Sequence, residues 1–189
     1  FWPKALEQCN AILGSSNTKY PLVRAGLRVN IFNFQGLGLK SSETIWFVPY
    51  YNLNAWRLPR LSTIYTGTAT TRLRCSSMSS TLVKSLGWDN LTEANKDLRY
   101  REWFIRYNKG TDPLYRNDYQ KDFHIWNNKY QNGAANFVMY RSAQFHLMRA
   151  LIQFDAGNTA AALVDVNITR QRAGLPTLRT LTLQDIDDE

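Results

Sequence analysis

The stretch GNTAAALVDVNITRQRAGLP (157–176) decides the fold of this chain. Gly157 ends the segment before it. Asn158 or Thr159 supplies an oxygen that caps the first unpaired N–H groups of a helix. Arg170 and Arg172 stand where positive charge complements the negative end of the helix dipole. Gly174 suits a left-handed cap, and Pro176 cannot continue a helix. Ala162, Val166 and Ala173 fall on one stripe, and Val164 and Ile168 on another. A helix apolar on two sides is expected between neighbours and not on a surface.

The preceding segment, NFVMYRSAQFHLMRALIQFDAG (136–157), has the same character. Tyr140, Ala143, Leu147, Ala150 and Phe154 recur at helical spacing, and Phe145, Met148 and Ile152 make a second stripe. The link around Asp155 and Asn158 is only a few residues long, which forces antiparallel neighbours. The pattern predicts an αα-hairpin with apolar faces on both sides, the unit of a helical stack.

The chain has 189 residues, with 44% hydrophobic and 20% charged residues, the composition of a globular domain with a sizeable core. No apolar run approaches the ~18 residues of a membrane-crossing helix. The sequence does not begin with Met. Its end, TLQDIDDE (182–189), reads as the capped acidic first turn of another helix, with Asp187 and Asp188 as charges at a helix N-terminus. Both ends are therefore expected to be cut from a longer protein. The 23 Lys+Arg exceed the 15 Asp+Glu, for a net charge of +8. The basic residues are scattered, which reads as a solvated surface before it reads as a nucleic-acid footprint. Cys9 and Cys75 are the two cysteines. Cys9 lies on the apolar face of the first helix, as a buried free thiol would.

Residues 1–20 read as a scaffold helix and its exit, with Trp2, Leu6, Cys9 and Leu13 on one face. Residues 21–136 are irregular and loop-rich. They contain a strand at 44–48 halted by Pro49, a short helix at 80–86 after a capping signal, and a strand near 123–126. Residues 137–189 hold the helical hairpin and the start of a further helix.

The ordered set Arg141, Ala143, Leu147, Arg149, Ala150, Gly157, Asn158, Ala162, Leu163, Asn167, Arg170, Arg172, Ala173, Gly174 and Leu175 resembles the C-terminal helical hairpin of the SusD/RagB family. KALEQCNAILGSSNTKYPL resembles an earlier helix of that family. SSETIWFVPY is similar to its Glu-x-hydrophobic-aromatic strand, with Glu43 in the acidic place. The likeness departs at Gln144 and Leu151, where acidic residues are more usual. The resemblance implies one SusD-like domain over 1–189: a mostly α, tetratricopeptide-like helical scaffold with a long irregular insert containing short strands. It also implies a protein lipid-anchored to the extracellular face of an outer membrane, through an anchor outside these residues. Its partner would be a SusC-type TonB-dependent transporter and its ligand an oligosaccharide or peptide. The resemblance implies no cofactor.

The residues themselves argue against catalysis. His146, between Phe145 and Leu147, reads as structural, since no nucleophile or metal-ligand spacing accompanies it, and the role of His124, in a loop-like region, stays open. No nucleophile elbow, phosphate loop or calcium loop is present. Binding is better supplied. Tyr50, Tyr51, Asn52, Asn54, Trp56 and Arg57 mix flat rings with planar amide and guanidinium groups in a loop-like stretch, the chemistry that grips a sugar. Trp46 and Phe47 are expected to pack on the scaffold, and Trp88 and Trp103 are weaker ligand candidates. Three functions remain open at this point. One is nutrient capture, another a helical scaffold that binds only proteins, and the last a nucleic-acid binder with steep salt dependence.

Overall fold

A computed structural model of the chain describes residues 2–14, 19–23, 31–32, 40–49, 78–108, 123–130 and 136–189. In chain order its elements are α1 (Trp2–Leu13), β1 (Thr44–Val48), α2 (Ser80–Ser85), α3 (Leu91–Ala94), α4 (Leu98–Trp103), β2 (Phe104–Asn108), β3 (Phe123–Asn127), β4 (Phe137–Arg141), α5 (Ser142–Asp155), α6 (Thr159–Arg172) and α7 (Leu183–Asp187). They divide between two compact units, one made of Phe1–Leu27, Ser41–Phe47 and Val138–Glu189, the other of Arg28–Lys40 and Val48–Phe137.

In the first unit α5 and α6 form the expected hairpin. Gly157, at φ 79°, turns the chain. Its N–H donates to the Phe154 carbonyl at 3.0 Å, and the Asn158 N–H donates to the Gln153 carbonyl at 2.8 Å. This pair satisfies the last carbonyls of α5, and only a residue at ease with positive φ makes it without strain. Asn158 Oδ1 then accepts from Ala161 N–H at 3.4 Å and starts α6. The same device ends α6 at Gly174, φ 76°, where Leu175 N–H reaches the Arg170 carbonyl at 3.0 Å.

Ala150, Ala162, Val166, Leu181 and Ile186 are the buried centre of this unit, flanked by Phe154, Leu163 and Leu178. The small residues let α5 and α6 approach closely, and α5 also packs on α1 and α7. Asn167 holds the chain beyond α6, donating to the Leu178 carbonyl at 3.0 Å and accepting from Leu178 N–H at 2.7 Å. A reciprocal box between Thr182 and Asp185 caps α7, with Thr182 N–H to Asp185 Oδ2 at 2.7 Å and Asp185 N–H to Thr182 Oγ1 at 3.2 Å.

Several expectations are corrected. α5 begins at Ser142, not at 137, and Tyr140 lies on β4, which pairs with β1. The second apolar stripes are only partly covered: α1 and residues 178–186 both pack on the hairpin, yet Val164 is 60% exposed and Met148 48% exposed, while Ile152 is buried. Asp187 ends α7 and Asp188 is its C-cap, so the acidic residue of the first turn is Asp185.

The second unit closes α2, α3 and α4 over an antiparallel β2–β3 pair, in which Phe104 faces Asn127 and Arg106 faces Ile125. Val83, Trp88, Ala94, Tyr100 and Ile125 are its centre. Trp88 meets Tyr100 and Phe104 edge-on at 5.3 and 5.2 Å. Trp103 is buried too, with Phe32 edge-on at 5.5 Å. Both tryptophans are therefore core residues and not ligand contacts. Asp97 Oδ1 caps α4 by accepting from Arg99 N–H at 2.8 Å, and its carboxylate also pairs with the Arg99 guanidinium at 2.7 Å.

Candidate functional site

The β1–β4 pair of the first unit is anchored by one carboxylate. Glu43, the residue before β1, is wholly buried. Its Oε1 accepts from Arg141 Nη1 at 2.9 Å, where β4 meets α5. Its Oε2 accepts from Val23 N–H at 3.1 Å and from Arg172 Nη1 at the end of α6. Its backbone carbonyl accepts from Ser142 N–H at 3.0 Å. Burial pushes the Glu43 carboxyl up, but Arg141 and Arg172 together outweigh it and hold the group below the usual carboxylate range. A charge that would be costly alone thus joins two strands to the end of a helix.

A second buried carboxylate fastens the helices. Asp165 on α6 accepts from Arg149 of α5 through both oxygens, each at 2.7 Å, a bidentate fork. His146 Nδ1 lies 2.8 Å from Asp165 Oδ1, and an ionised carboxylate only accepts, so Nδ1 carries the proton. Arg149 Nη1 also donates to Asn10 Oδ1 at 3.0 Å and so brings in α1. His146 is fully buried in this arrangement and structural, as its sequence setting indicated. Among the described residues no cluster of His, Cys, Asp or Glu could hold a metal ion.

On the strand pair so fixed stands an aromatic face. Trp46 of β1 and Tyr140 of β4 stack with ring centroids 5.8 Å apart and planes 22° from parallel. Phe145, in the first turn of α5, meets Tyr140 edge-on at 6.2 Å. Trp46 is 52% exposed and Tyr140 45% exposed. Sequence reasoning missed this pair by assigning Trp46 to scaffold packing and Tyr140 to a helical stripe. The signal lay in the alternation of β1, since Ile45 and Phe47 take one side and Trp46 the other. Gln144 Oε1 accepts from Arg141 N–H at 2.9 Å, so an amide serves the α5 start where an acidic residue was expected. The face offers flat π surface.

Tyr50, Tyr51, Asn52, Asn54, Trp56 and Arg57 lie outside the described residues, as does Cys75. Their stretch begins two positions after Val48, the last residue of β1.

Comparison of the sequence with family models and with curated proteins gives no match. Solved structures do match in fold. Surface glycan-binding protein A from Bacteroides uniformis superposes with a TM-score of 0.64 at 22% identity, over 98% of this chain and 40% of that one. A SusD superfamily protein from Bacteroides vulgatus gives 0.65 at 16% identity, over 99% of this chain and 43% of that one. A SusD-like protein from Bacteroides fragilis gives 0.65 at 16% identity, over 99% and 47%. The chain spans less than half the length of these structures. It has the SusD-like fold, a helical scaffold carrying short strands, and none of the three is named as an enzyme.

Proposed function

We propose that this chain, which carries the SusD-like fold, belongs to a surface nutrient-capture protein and takes part in binding an oligosaccharide or peptide. The observation that carries the reading is the fold likeness over nearly the whole chain to a surface glycan-binding protein. The sequence resemblance at the hairpin agrees with it. Three of its arginines hold the scaffold of this chain, Arg141 and Arg172 on Glu43 and Arg149 on Asp165.

In this reading the protein caps a SusC-type TonB-dependent transporter and hands ligand to it. It sits on the extracellular face of the outer membrane through a lipid outside this chain. No helix among the described residues is long and apolar enough to cross a membrane. Tyr50, Tyr51, Asn52, Asn54, Trp56 and Arg57 are the proposed ligand contacts, rings for the C–H faces and polar groups for the hydroxyls. Catalysis has no part in it.

Calorimetry against neutral oligosaccharides and mixed peptides tests the binding, with Trp56→Ala expected to weaken it about tenfold or more. Isolation of the intact protein from its membrane tests the partnership. Absence of both ligand binding and any co-purifying TonB-dependent transporter would replace this reading with a helical scaffold that binds only other proteins.

A further inference from the structure

We draw no further inference here: the strongest candidate, the half-exposed stack of Trp46 on Tyr140 along the β1–β4 pair, carries none, because nothing in the structure shows what covers it.

Discussion

Arg172, in the last turn of α6, donates to the carboxylate of Glu43, which stands 129 positions earlier in the chain. Arg141 donates to the other oxygen of that carboxylate. One buried acid therefore takes two guanidinium groups that are themselves mostly buried. Breaking such an arrangement from one side leaves charge without a partner, and that is costlier than the pair is stabilising. Glu43→Gln is expected to lose about 3–5 kcal/mol of stability. For a chain of this size the melting midpoint should fall by roughly 10 °C. Urea unfolding measures it. A loss below about 1 kcal/mol would mean that solvent screens the guanidinium groups as it does at a surface.

The pH dependence follows from the same groups. Burial pushes Asp165 up, but Arg149 and His146 more than offset it, and Glu43 is likewise held low by its two arginines. A carboxyl with a folded pKa below its unfolded value binds protons more readily when unfolded. It contributes stability that is fully present above the unfolded values, 4.5 for Glu43 and 3.8 for Asp165. That stability is lost as pH falls through the folded values. The urea midpoint should drop steadily as pH goes below about 4.5. Glu43→Gln and Asp165→Asn should each flatten the drop while lowering the plateau at neutral pH. An unchanged acid limb in both variants would place the acid sensitivity elsewhere.

The hairpin was legible because its signals are local. Asn158 before α6 and Gly174 after it act within one turn of the helix, so spacing alone gives the boundaries. β4 was not legible. Tyr140 lies at helical spacing from Ala143 and Leu147, and periodicity extends the helix back through it. What makes 137–141 a strand is β1, and what ends the strand is Arg141 meeting Glu43 from 98 positions away. No window on the sequence contains both. The same distance hid the exposed stack of Trp46 on Tyr140. Glu43 is legible as the acidic position of a family-like strand pattern, but its two arginine partners are brought to it by the fold alone.

Gly157 allows a cleaner test of backbone energetics. At φ 79° it lies where a Cβ is disfavoured, yet a Cβ built there meets nothing within 4 Å. Gly157→Ala therefore changes conformational preference without a clash. The expected loss is about 1–2 kcal/mol, and Gly157→Asn should lose less, since Asn tolerates the left-handed region. Chemical denaturation of the two variants decides it. Equal losses would point to the side chain's surroundings instead of φ.

Cys9 reports on how α1 is held. It is a free thiol, buried on the face of α1. Burial raises its pKa, Arg149 pulls it down and Asp165 pushes it up, with a net rise. A thiol that is both covered and reluctant to ionise reacts only when the helix opens. In a Cys75→Ser background, labelling of Cys9 by a thiol reagent should be slow in buffer and accelerate with urea. Arg149 Nη1 reaches Asn10 Oδ1 at 3.0 Å, which ties α1 to the Asp165 cluster. Loss of that charged hydrogen bond in Arg149→Met should speed labelling about tenfold. The free-energy change from urea curves should account for only part of the acceleration if α1 opens by itself. If labelling of Cys9 is fast in buffer and indifferent to urea and to Arg149→Met, α1 is not held by this cluster, and the first unit must close by another route.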